Sequence, residues 1–155
     1  MKLIINPHSI VDIITNSSSE IFICNSKKQL EIVKSILQSL IDEQNSINNT
    51  KMTFENVFRE PYIVNSSNSD SLIDTISSYG YQFSGTEYLP SYFDLEGNWE
   101  ERNKQHEEIV NKWKENNLDK INGLLIIESA SDNSIPYEIF DKINEIFNGD
   151  NVHLG

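Results

Sequence analysis

Gly123-Leu124-Leu125-Ile126-Ile127-Glu128 is the stretch whose reading decides the fold. Four consecutive aliphatic residues between a glycine and a charged residue are too few for a helix, and they suit a strand buried on both faces. Ser129 to Ser134 follows as a polar loop. Pro136 to Phe147 then reads as a helix, with proline in the first turn, where its missing N–H is not needed. Ile139, Phe140, Ile143, Ile146 and Phe147 recur at helical spacing and are expected to face inward. Gly149-Asp150 stops that helix, and Asn151 to Leu154 returns as a strand. Strand, helix and strand make a βαβ unit, for which a right-handed crossover is expected. The expectation is an α/β (or α+β) fold: a small mixed sheet with three to four helices, closed by a C-terminal βαβ unit. Glu128, Ser129, Ser131, Asp132 and Asn133 lie where α/β sheets keep ligand sites. Without the glycines of a phosphate-binding turn, they read as an ordinary capped loop.

Upstream, Trp99 to Leu118 predicts a long helix with Trp99, His106, Ile109, Val110, Trp113 and Leu118 on or near one face. Its mixed charges suit a solvated surface. His106 has no Cys or second His within ligand spacing, so it reads as a satisfied, partly buried histidine and not as a metal ligand. Asp70 to Tyr79 predicts a further helix, capped by Asp70 or Ser69 and stopped by Gly80. Tyr62 to Val64 predicts a strand, Tyr81 to Phe83 another, and Met52 to Phe58 a short helix or strand. Ser26-Lys27-Lys28-Gln29 has the spacing of a capping box, and Leu30, Val33, Ile36, Leu37, Leu40, Ile41 and Gln44 follow at helical spacing.

Just before that helix, the chain reads Ile13-Ile14-Thr15-Asn16-Ser17-Ser18-Ser19-Glu20-Ile21-Phe22-Ile23-Cys24. Thr, Asn and Ser side chains bond nearby backbone, so Thr15 to Ser19 predicts a tight turn and Ile21 to Cys24 a strand. No His, Lys or oxyanion loop adjoins the serines, so no nucleophile is assigned there. The stretch resembles the N-terminus of short proteins of gut bacteria and their tailed, crAss-like phages. These carry a hydrophobic-Thr/Ser-Asn-Ser-Ser-Ser motif followed by a hydrophobic strand. Many of those proteins continue with serine where this chain has Glu20. The resemblance implies a phage context and carries over no catalytic residue. Residues 1–20 read as an N-terminal arm with the serine motif, and 21–155 as a single α/β domain. The arm either packs on its own domain or adds a strand to a neighbour. Thr15, Asn16, Ser17, Ser18, Ser19 and Glu20 are the candidate assembly or processing residues.

A chain of 155 residues is long enough to bury roughly 70% of its unfolded surface. Its single Cys24 excludes an internal disulfide and reads as a buried thiol. No apolar run approaches the length of a membrane span, so no membrane partner is expected. The counts of 22 Ile, 19 Asn, 19 Ser and ten Lys against two Arg and one Ala reflect AT-rich coding. Net charge is −12, and residues 52–101 carry nine acids against Arg59 alone. No basic stripe follows a phosphate backbone, which argues against direct nucleic-acid binding.

That middle third also holds ten of the fifteen aromatics. Between Ser84 and Asn98 the turn formers Gly85, Pro90 and Gly97 alternate with Tyr88, Leu89, Tyr92, Phe93 and Leu95. So greasy a loop is either tucked onto the core or waiting for a partner. Tyr88, Tyr92, Phe93 and Trp99 are the candidate partner-binding residues. The functional expectation is a non-enzymatic virion structural protein: a portal-proximal ring, tail adaptor or capsid accessory subunit. It would be made in the bacterial host cytoplasm and bound to other virion proteins and to copies of itself, without cofactor or metal. The alternative is an acidic early phage protein that blocks a host enzyme or defence complex. An enzyme using Asp, Glu and Ser ranks last, since His8, His106 and His153 lie far apart in sequence.

Overall fold

The computed structural model describes residues 19–78, 80–82, 85–131 and 135–154. Residues 1–18 of the expected arm, with the motif residues Thr15 to Ser18, lie outside them, as do Tyr79, Phe83, Asp132 and Asn133, while Ser19 and Glu20, expected in the arm, open the first strand. The described residues have the mixed α/β architecture expected from the sequence, with one four-stranded sheet and five α-helices in place of the three to four expected. In chain order these are β1 (Ser19–Cys24), α1 (Leu30–Asn48), α2 (Phe54–Val57), β2 (Tyr62–Ile63), α3 (Ser69–Ser77), α4 (Trp99–Ile121), β3 (Leu125–Glu128), α5 (Phe140–Phe147) and β4 (Gly149–Leu154). Short 3-10 turns at Tyr92–Asp94 and Tyr137–Ile139 precede α4 and α5. The chain divides into two compact units, Met1–Tyr62 with Ile126–Gly155, and Ile63–Leu125.

The sheet order is β2-β3-β1-β4, and it is antiparallel. β1 and β4 pair from Ser19↔Leu154 to Cys24↔Gly149. Since β3 and β4 both run against β1, they run parallel to each other. The strand-helix-strand unit is therefore present, but split by β1. This corrects the expected mixed sheet: the two parallel strands are never neighbours. The reason lies in composition. Ile21, Phe22, Ile23 and Cys24 are all buried and need cover on both faces, which a central strand has. Asp150, Asn151 and His153 are exposed, and β4 lies at the sheet edge. Phe22 meets Phe140 of α5 edge-on, with ring centroids 5.5 Å apart.

Local signals mostly hold, with shifts at the ends. The Ser26–Gln29 capping box does not form. Ser26 Oγ accepts from the Lys28 N–H at 3.3 Å, an ST turn, and α1 starts after an extended Gln29. Val33, Leu37, Leu40, Ile41 and Gln44 are its buried stripe, as expected. Met52 to Phe58 turns out as helix and then bridge: α2 is held by a Thr53/Asn56 capping box, and Phe58 pairs with Ser129. The helix expected from Pro136 opens as a 3-10 turn before α5, and Ile146 points to solvent. Asn148, left-handed at φ 50°, ends α5 and passes the chain into β4. A Cβ on Gly149 would lie 2.6 Å from Cys24 Sγ, so this close strand approach requires glycine. Burial, and then the Asp150 carboxylate, pushes the Cys24 thiol up to about 12.

In the second unit, α4 buries Val110, Trp113, Asn117 and Ile121. This moves the expected face: Trp99, at the first turn, is 70% exposed. Tyr81 and Leu89 form an antiparallel bridge, Tyr81 N–H to Leu89 O at 2.8 Å and Leu89 N–H to Tyr81 O at 2.7 Å.

Candidate functional site

The loop from Tyr81 to Asn98 resolves the choice between tucked and outward-facing residue by residue. Leu89 is fully buried and anchors the loop beside its bridge to Tyr81. On either side of that anchor the aromatics turn outward: Tyr88 is 53% exposed, Phe93 74% and Trp99 70%.

Two successive reciprocal caps hold them there. Ser91 Oγ accepts from the Phe93 N–H at 3.1 Å and donates to Ser78 O at 2.9 Å. Asp94 Oδ2 returns to the Ser91 N–H at 3.1 Å and also accepts from the Tyr88 hydroxyl at 3.3 Å. Asn98 Oδ1 accepts from the Glu101 N–H, and Glu101 Oε2 accepts from the Asn98 N–H, each at 3.0 Å. Each cap satisfies N–H groups that a helix start leaves unpaired. Gly80, at φ +71°, completes the frame: a Cβ there would lie 2.6 Å from the Tyr88 hydroxyl oxygen. A polar hub pins the far side of the loop, where fully buried Asn117 bonds the Glu87 N–H at 3.1 Å and the Trp113 indole donates to Glu87 O at 2.8 Å.

At the centre stands Tyr92. Phe93, Trp99 and His106 surround it with centroids at 5.5, 5.5 and 5.8 Å and ring planes inclined at 88°, 63° and 83°. His106 Nε2 lies 3.2 Å from Ser77 O, which can only accept, so that nitrogen carries the proton. This is the satisfied, partly buried histidine expected from sequence. All four expected partner-binding residues thus come together on one surface. A groove of about 430 Å³ beside His106, lined by Asp74, Asn103, Glu107, Asn111 and Lys114 among others, runs between α3 and α4. Lys114 is held by Asp70 at 3.2 Å and Asp74 at 3.8 Å.

No protein-family model, curated protein or solved structure matches the chain.

Of the serine motif, Glu20 is the residue whose side chain is described. It is a buried carboxylate at the start of β1, with His153 Nδ1 2.5 Å from Oε1 and Asn151 Nδ2 donating to Oε2 at 3.0 Å. Asn144 Nδ2 extends the chain of bonds to Asn151 Oδ1 at 3.0 Å. Sequence reasoning missed this network, although an acid opening an apolar strand was the visible signal. The C-terminal loop residues are engaged structurally. Ser129 Oγ accepts from the Glu20 N–H at 2.9 Å, and Glu128 accepts from the Tyr62 hydroxyl at 3.2 Å. Burial, and then the Glu128 charge, raises the Tyr62 phenol above its ordinary range. Ser131 is exposed. Among the described residues no three His, Cys, Asp or Glu side chains cluster as a metal site, and no helix is long and apolar enough to cross a membrane.

Proposed function

We propose that this chain is a non-enzymatic assembly protein, a subunit of the kind that joins a phage particle at a portal-proximal ring, tail adaptor or capsid accessory position. Its contact is the aromatic surface around Tyr92. One observation carries the reading: Tyr88, Phe93 and Trp99 stay largely exposed although hydrogen-bonded caps fix the backbone that bears them. Rigid exposed aromatics give large contact area at small entropic cost, which is why such residues dominate protein–protein hot spots. The motif from Ile13 to Ile23 supplies the phage context. The test is quantitative mass spectrometry of purified source-phage particles carrying either the wild-type chain or the Phe93→Ala/Trp99→Ala variant. A fixed copy number for the wild type, lost in the variant, is expected. Absence of the wild-type chain from particles overturns the reading.

That absence would favour the acidic early protein that binds and inhibits a host enzyme or defence complex. Between Glu87 and Glu101 the chain carries five carboxylates and no lysine or arginine, a field suited to a basic target. Neutralising Glu87, Asp94, Glu96 and Glu100 together would then weaken binding to a co-purifying host protein. Unchanged affinity rejects this second reading.

A further inference from the structure

We propose that the surface around Tyr92 recognises a cationic side chain, arginine or lysine, carried on an extended segment of a basic partner protein. This rests on the assembly reading above and states what the partner must present. The ring geometry is the first ground. Phe93 and Trp99 stand steeply inclined to Tyr92, and each is largely exposed. Accessible π faces, tryptophan above all, attract ammonium and guanidinium groups.

Charge is the second ground. Asp94 and Glu101 already accept backbone N–H groups in the two caps. Glu96 and Glu100 are exposed and have no ion-pair partner among the described residues. Two carboxylates without ion-pair partners, each within three residues of Phe93 or Trp99 in sequence, give this part of the surface a field that complements a cation. They oppose an acidic ligand, and they also oppose a second copy of this chain, whose net charge is −12.

The groove is the third. Trp99, Asn103, His106, Val110 and Lys114 recur every three or four residues along one side of α4, so the groove continues from the aromatic surface down the helix. Asn103 and Asn111 offer amide donors and acceptors there with no bonded partner among the described residues, as a peptide backbone requires. From Trp99 to Asn111 the helix rises about 18 Å, the span of about five extended residues. Lys114 does not oppose a cation, being neutralised by Asp70 and Asp74.

The experiment uses the full chain and two labelled serine–glycine peptides, one bearing arginines and one bearing citrullines in their place. Citrulline keeps the size and planar shape but replaces the charged, donor-only guanidinium with a neutral urea. Fluorescence anisotropy should show saturable binding of the arginine peptide and binding roughly tenfold weaker for its citrulline twin. Trp99→Ala, and separately the double change Glu96→Gln/Glu100→Gln, should each weaken the arginine peptide by about tenfold. The double change Glu138→Gln/Asp141→Gln, on the other unit, should leave it unaltered. Equal binding of the two peptides, or an equal loss from the Glu138/Asp141 change, overturns the proposal. So does Trp99 emission that shifts on a neutral maltooligosaccharide but not on the arginine peptide. If particles lose the Phe93→Ala/Trp99→Ala chain while the arginine peptide does not bind, assembly stands and cation recognition falls. If the peptide binds with the stated selectivity and particles lack the wild-type chain, cation recognition stands and the virion role falls.

Discussion

β1 and the turn from Ser91 to Trp99 are both rich in large apolar side chains, and they spend them in opposite directions. In β1, Phe22 and its neighbours are buried, and order comes from the exclusion of water. In the turn, Phe93 and Trp99 face water, and order comes from reciprocal side-chain caps. Exposure in the second case is maintained by hydrogen bonds that aim the rings outward. A surface held that way would meet the proposed partner with little reordering.

The contrast can be broken most severely at Phe22. Phe22→Ala should remove about 3–5 kcal/mol of stability, read by urea denaturation. A loss under about 1 kcal/mol would mean that β1 is not the core strand described. Next, Glu20→Ala should cost about 1 kcal/mol by removing the hydrogen bonds its carboxylate accepts, with the His153 ring resonances shifting in NMR spectra. Cys24 sharpens the comparison through pH. Its folded pKa, about 12, is raised above the 9.0 of an unperturbed thiol. Below pH 9 both states keep the proton; above it the unfolded chain loses the proton first. Stability should therefore fall by about 1.4 kcal/mol per pH unit between pH 9 and 12 from this group, and Cys24→Ala should flatten that slope. At the capped turn, Asn98→Ala should cost about 1 kcal/mol and broaden the Trp99 indole resonance, since the ring loses its fixed base. The smallest effect belongs to Phe93→Ala, within about 0.5 kcal/mol. A larger change would show that this ring supports the fold.

Much of this contrast was legible before any coordinates. The run Leu124 to Ile127 and the stripe from Val33 to Ile41 announce burial from local pattern alone, and the strand and the helix they imply are present. Strand order was not legible, because period reveals that a strand is buried and not which strand lies beside it. β1 therefore entered between β3 and β4 unannounced. The aromatic cluster of Tyr88, Tyr92, Phe93 and Trp99 was picked out by composition, but which of the loop's apolar residues would anchor it was not. Leu89 is the anchor because its bridge to Tyr81 fixes it inward, a pairing across eight residues that no local pattern encodes. The Glu20–His153–Asn151 network escaped for the same reason, since it joins opposite ends of the sequence.

The placement of β1 also bears on how the molecule is made. It is the first described strand, yet both its neighbours, β3 and β4, come from the last part of the chain. As the ribosome releases the polypeptide, Ile21 to Cys24 have neither edge satisfied until residues beyond Leu125 emerge, and pairing with β4 waits for Gly149 to Leu154. Such long-range closure is slow and leaves an apolar segment open to wrong pairing. The yield of folded protein should therefore depend on how quickly the C-terminal strands follow.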